Sequence, residues 1–246
     1  MRLEWGYDGQ AMSPISTDNF YTIEDGVAVG ISVDGNAGND IISGYHGDDY
    51  LDGGDGNDIL KGNMGSDTIL GDAGDDQIFG GGNDDTLIGG AGVDTIYGDA
   101  GNDDVTAGDG ADLVYGGEGN DQISGGDDND TIYAGVGDDT VYGGDGNDII
   151  MGSAGDDIIV GGNDDDVAVF AGNQSNYTFA SSPDGLTINV TNTANNYSDT
   201  VSGVETLSFD DGDIYVSQDA NGLVLTGGAG DDTITVVCNV LVTLKG

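Results

Sequence analysis

Between residues 35 and 169 one inward-type apolar position recurs every ninth residue: Ile42, Leu51, Leu60, Ile69, Ile78, Leu87, Ile96, Val105, Val114, Ile123, Ile132, Val141, Ile150, Ile159 and finally Ala168. The intervals are rich in glycine and short polar residues. A period of nine fits neither one face of a helix nor a long alternating strand. It divides the segment into fifteen consecutive nonapeptides, from Gly35 to Val169, with no insertion, the apolar residue falling at the eighth place. Glycine holds the first place except at Ala107 and Ala134, and the fourth except at Asn83, Asp128 and Asp164. Asn and Asp are the other residues that best tolerate positive φ, so the fourth place reads as a left-handed turn position. Each unit is predicted to be a six-residue turn, bent by the glycines at places one and four, followed by a three-residue strand.

Strands that short hold only by stacking on identical neighbours. Two units make an 18-residue coil, and successive coils lie about 4.8 Å apart. The predicted fold is all-β: a right-handed parallel β-roll, or β-solenoid, of 18-residue coils with capping segments. The expected organisation is an N-terminal cap over 1–34, the roll over 35–169, a C-terminal β cap over 170–226, and an isolated nonapeptide with a tail over 227–246. Within the first cap, "GVAVGISVD" keeps the frame through Val33 but has Ile31 at the sixth place, and it reads as a half-coil shielding an edge. Trp5 and Tyr7 read as cap packing. In 170–226, "NYTFA", "LTINVT" and "VETLSFDDG" alternate like strands, with "SPDG" as a turn.

The sixth place changes the picture. It is aspartate every time: Asp40, Asp49, Asp58, Asp67, Asp76, Asp85, Asp94, Asp103, Asp112, Asp121, Asp130, Asp139, Asp148, Asp157 and Asp166. In the roll these form two rows, one along each edge. Across the whole chain three Lys+Arg face 47 Asp+Glu, a formal net charge of −44. Like charges about 5 Å apart at an effective dielectric near 20 repel by about 3 kcal/mol a pair. Rows of eight and seven aspartates contain thirteen such neighbouring pairs. Together they outweigh the roughly 5–15 kcal/mol by which a domain is normally stable.

A cation between turns removes the conflict. Calcium takes six to eight oxygens, which carboxylates and the exposed carbonyls of glycine turns can supply. Magnesium holds its waters and wants stricter geometry, and zinc wants His or Cys, of which the repeats contain only His46. About a dozen calcium ions are therefore expected; filling all thirteen gaps would bring −44 to about −18. The same acidity rules against nucleic acid as a partner, because phosphate binding needs Lys and Arg.

With these residues in view, the repeats resemble the RTX, or hemolysin-type calcium-binding, nonapeptide G-G-x-G-x-D-x-U-x. The resemblance implies a parallel β-roll that binds calcium between successive turns, with turn carbonyls and the fifteen sixth-place aspartates as ligands. "VFAGNQSNYTF" and "VSGVETLSFDDGD" further resemble the cap that follows such repeats in serralysin-like secreted proteins. The resemblance also implies an extracellular or cell-surface location reached by type I export. In keeping with it, "MRLEWGYDGQAMSPIS" has no apolar run of a cleavable signal peptide, and no stretch reaches transmembrane length. "GGAGDDTIT" (227–235) is one more nonapeptide, with Asp231 at its sixth place. Cys238 and Lys245 depart from the family's usual C-terminal export signal. Cys238, the single cysteine, reads as a small apolar residue.

The chain is read as a non-enzyme, since neither H-E-x-x-H nor G-x-S-x-G occurs and His46 sits in a turn. The function expected is calcium binding coupled to folding, as a structural or secretion module. An alternative rests on the ninth place of alternate units, where Phe79, Tyr97, Tyr115 and Tyr133 should form a ladder on one face. Exposed, that ladder would dock a polysaccharide or a partner protein in a calcium-dependent manner. The sequence leaves open whether the chain stands alone or is a fragment of a larger RTX toxin, enzyme or adhesin.

Overall fold

The computed structural model describes residues 20–22, 30–182, 186–219, 222–228 and 243–245. Trp5, Tyr7, Asp231 and Cys238 lie outside them. The chain winds as a parallel β-solenoid of about eight coils, with consecutive strands falling alternately into two sheets. Strands pair in parallel with those 18 residues away: Val114 stands between Ile96 and Ile132, and Tyr115 between Tyr97 and Tyr133. Every eighth-place side chain points between the sheets and is at most 1 % exposed. Burying a Leu or Ile fully is worth about 1.5–3 kcal/mol, so this single column of side chains is the core of the roll.

The strands are longer than the sequence suggests. From Tyr50–Asp55 to Ile158–Asn163 each spans six residues, running from the seventh place of one unit to the third place of the next. The cause is the backbone itself, because buried N–H and C=O groups at places one to three must also pair. They do so with the next coil, as in Gly108 opposite Gly126 and Asp109 opposite Asp127. The turn proper narrows to places four to six.

The glycines also divide differently. The fourth place is left-handed in all fifteen units, including Asn83 (φ 80°), Asp128 (φ 78°) and Asp164 (φ 77°). The first place is not. The second left-handed position is place two, in every unit except that of Tyr45, and Asn36, Asn63, Asp72, Asp99 and Ser153 hold it without glycine. First-place glycine serves another purpose.

Beyond the repeats, Tyr177–Ser181, Ile188–Asn192 and Ser198–Ser202 form an antiparallel group. Thr206–Phe209, Gly212–Asp219 and Gly222–Gly227 form another. Each group is joined to the roll by one parallel strand. Ser198–Ser202 lies beside Ile158–Asn163, and Thr206–Phe209 lies beside Val167–Val169. Phe170, Tyr177, Phe179 and Phe209 pack edge and face at 5.1–5.9 Å over this end of the core. At the other end Ser32–Asp34 continues one sheet, with Val33 buried. Among the described residues, no helix is long and apolar enough to cross a membrane.

Candidate metal sites along the two edges

The strict 18-residue register brings the fifteen sixth-place aspartates into two rows. Asp40, Asp58, Asp76, Asp94, Asp112, Asp130, Asp148 and Asp166 line one edge; the other seven line the opposite edge. All fifteen are buried, at 0–3 % exposure. Within a row each backbone N–H donates to Oδ1 of the aspartate one coil later, at 2.6–2.9 Å, thirteen bonds in all. One carboxylate oxygen thus fixes the side chain and ties neighbouring coils together.

The other oxygen is left over. Oδ2 of every sixth-place aspartate from Asp58 to Asp166 is sealed from solvent and makes no hydrogen bond. A buried charged oxygen without a partner is expensive, and thirteen in register call for a common explanation. In eleven of the thirteen units first-place glycine provides it. A Cβ on Gly53 would lie 2.3 Å from Asp58 Oδ2 and 3.0 Å from the Gly71 carbonyl oxygen of the next coil. On Gly143 it would lie 2.3 Å from Asp148 Oδ2 and 2.6 Å from the Gly161 carbonyl. The missing methyl leaves a cradle in which a carboxylate and a carbonyl oxygen converge. Ala107 and Ala134, both fully buried, put a methyl at the same place in their units.

The electrostatics agree. Burial, opposed by the N–H bond and reinforced by neighbouring aspartates, pushes Asp76, Asp85, Asp103, Asp112, Asp130 and Asp139 from 3.8 up to about 7. Asp58, Asp67 and Asp166 are pushed to about 6 by the same causes. Burial raises Asp49, Asp94, Asp121, Asp148 and Asp157 as well. Without a cation these groups resist ionising. Among the described residues no three His, Cys, Asp or Glu side chains converge on one point, so a metal here would need backbone carbonyls too. An all-oxygen set of carboxylates and carbonyls suits calcium better than zinc, which favours His and Cys in a tetrahedral site.

Two features escaped the sequence reading. The fifth place carries a second ladder, exposed and running the opposite way: Asn120 N–H donates to Asn102 Oδ1 at 2.8 Å, and Asp138 N–H to Asn120 Oδ1 at 2.9 Å. Its signal was present, since thirteen of fifteen fifth places are Asn, Asp or Ser. Val93 N–H donates to Asp75 Oδ1 at 3.0 Å, but Val93, lacking a side-chain acceptor, offers nothing to the next coil. The second feature lies beyond the repeats. Asp157 N–H donates to Asp199 Oδ1 at 3.1 Å, and Asp166 N–H to Glu205 Oε2 at 3.0 Å, extending both rows. Burial pushes Asp199 to about 7.

The ninth-place ladder exists as expected. Phe79, Tyr97, Tyr115 and Tyr133 are half-buried and stack with centroids 5.0 Å apart and planes within 7°. Lys61 Nζ lies 5.0 Å from the Phe79 centroid. The ring faces are turned to one another along the stack. His46 is half-buried and packs its ring on Tyr45 at 4.2 Å.

A family model described as the RTX calcium-binding nonapeptide repeat (4 copies) matches residues 32–60, 61–96, 79–114, 106–141, 115–150, 142–169 and 224–235. A comparison with curated proteins returns no match.

Proposed function

The chain belongs to the RTX calcium-binding nonapeptide-repeat family and is a calcium-binding structural module; on that premise we propose that its activity is the coupling of calcium binding to folding, in the service of export. The observation that carries this reading is the row of buried, unpartnered Oδ2 atoms beside a cradle kept open by first-place glycine. The fifteen sixth-place aspartates, with first-place carbonyls of the following coil wherever a further repeat follows, are the residues that would hold the ions. Bound calcium supplies positive charge that lets the carboxylates ionise while buried. The chain's own residues do the rest. Oδ1 holds each side chain to the preceding coil, glycine keeps the space clear, and the eighth-place column supplies the apolar burial.

Calcium at a hundred times its dissociation constant stabilises by about 2.7 kcal/mol per independent site, so about a dozen sites convert an acidic, self-repelling chain into a rod. In a low-calcium interior the chain stays unfolded and can be threaded through a narrow channel; outside, calcium folds it. Type I export and an extracellular setting are in keeping with this logic. The aromatic ladder is assigned to the roll's stability rather than to a glycan or protein partner, because its ring faces are spent on one another. The test is limited proteolysis at pH 8. A resistant fragment spanning 35–169 should survive in calcium and vanish in EDTA or magnesium; a fragment equally resistant in EDTA would refute the coupling.

A further inference from the structure

The two rows of aspartates do not stop with the last repeat. After Val169 the chain departs for twenty-eight residues and returns as "SDTVSGVETLS", 198–208. The returning segment re-enters the roll in register. Thr200, Val201 and Ser202 stand opposite Ile158, Ile159 and Val160, and Thr206, Leu207 and Ser208 opposite Val167, Ala168 and Val169. Val201 and Leu207 are fully buried at the inward position. Asp199 and Glu205 therefore occupy sixth places, though they lie 42 and 39 residues from their row neighbours instead of 18.

The two row ends differ. On the Asp157 edge the three atoms nearest a Cβ on Gly152 all belong to Asp157, and the carbonyl of a following coil is not among them. On the Asp166 edge the cradle is complete. A Cβ on Gly161 would lie 2.0 Å from the Gly203 carbonyl oxygen and 2.5 Å from Asp166 Oδ2. Gly203 thus stands where the first-place glycine of a further repeat would stand, and Gly162 N–H donates to its carbonyl at 3.1 Å. Asp166 is fully buried and its Oδ2 has no hydrogen-bond partner. Glu205 accepts the Asp166 N–H through Oε2, the part played in the repeats by the next aspartate's Oδ1. Glu205 N–H and Thr206 N–H both donate to the Asp166 carbonyl at 3.1 Å, as a seventh-place N–H does elsewhere.

We propose that Asp166, the Gly203 carbonyl and Glu205 form one further calcium site, outside the nonapeptides, that fastens the C-terminal strands to the last coil. It rests on the calcium reading of the repeats. The longer Glu side chain suits a turn that is three residues short, Val204 alone separating Gly203 from Glu205 where four residues separate glycine from aspartate in a repeat.

The test compares the full chain with Glu205→Gln, whose carboxamide oxygen still accepts the Asp166 N–H. Native mass spectrometry after calcium loading should count one ion fewer in the variant. Amide exchange in 206–209 should rise at least tenfold in calcium, while that around Asp112 and Asp121 stays unchanged. Equal ion counts would overturn the proposal. If the variant does not fold, diffraction from calcium-loaded crystals of the unmutated chain decides. An anomalous peak between Asp166 and Glu205 supports the site, and peaks in the repeats with none there overturn it. Absence of calcium from the repeats as well would instead overturn the function on which it rests.

Discussion

Replacing Asp121 by Asn should change stability in opposite directions with and without calcium. Asp121 is 2 % exposed; its Oδ1 accepts the Asp103 N–H at 2.8 Å, and its Oδ2 shares the cradle of Gly116 with the Ala134 carbonyl. The carboxamide of Asn keeps the Oδ1 acceptor and puts an N–H₂ donor near that carbonyl. Without metal, the substitution removes two like-charge contacts, with Asp103 and Asp139. The coil spacing, taken from the 5.0 Å between stacked rings, gives about 3 kcal/mol a pair at an effective dielectric near 20, so about 6 kcal/mol is the upper bound on the gain. With calcium, two neighbouring gaps lose a charged ligand; at a hundred times the dissociation constant that is worth up to about 5 kcal/mol, now as a loss. The assay is urea unfolding at pH 8, followed by far-UV circular dichroism, once in EDTA and once in millimolar calcium. If the roll is too unstable in EDTA for a transition, the residual β signal serves instead. A change of the same sign in both conditions would refute the reasoning.

Other consequences follow from the same geometry. In EDTA, the raised aspartates hold protons in the folded state that the unfolded chain, titrating near 3.8, has released; stability is therefore greatest below about pH 4 and is lost as pH rises toward about 7. Greater metal-free β structure at pH 8 than at pH 5 would contradict this. Gly62→Ala places a Cβ 2.1 Å from Asp67 Oδ2 and should raise the calcium midpoint, whereas Gly82→Ala, whose nearest contact is 3.7 Å, should leave it unchanged. Ile132→Ala, at a fully buried inward position, should cost about 2–5 kcal/mol in calcium. Tyr115→Ser breaks two stacked pairs and should cost about 1–3 kcal/mol beyond lost area, a cost that vanishes if the ladder serves docking alone.

Much of this architecture could be read from the chain because a solenoid is nearly one-dimensional: contacts join residues a fixed 18 apart, so period and place fix both neighbours and facing. Ile78 and Ile96 are core, and Tyr97 and Tyr115 touch, for that reason alone. Legibility failed where chemistry is not carried by one residue type. The left-handed second place is shared by glycine, Asn, Asp and Ser, which blurred it. First-place glycine looked like a bend when it is a space, a distinction that depends on where Asp Oδ2 points. The continuation of the rows into Asp199 and Glu205 was hidden by the intervening twenty-eight residues, although "DTVS" and "ETLS" both repeat places six to nine.

If ion binding and folding are one event, calcium alone should fold the chain. Far-UV circular dichroism at pH 8 during a calcium titration of an EDTA-treated sample, with magnesium in parallel, tests it most directly. A cooperative coil-to-β transition is expected with calcium and none with magnesium. A full β spectrum already present in EDTA would mean that the buried carboxylates are tolerated without a counter-ion, which would contradict ion-coupled folding.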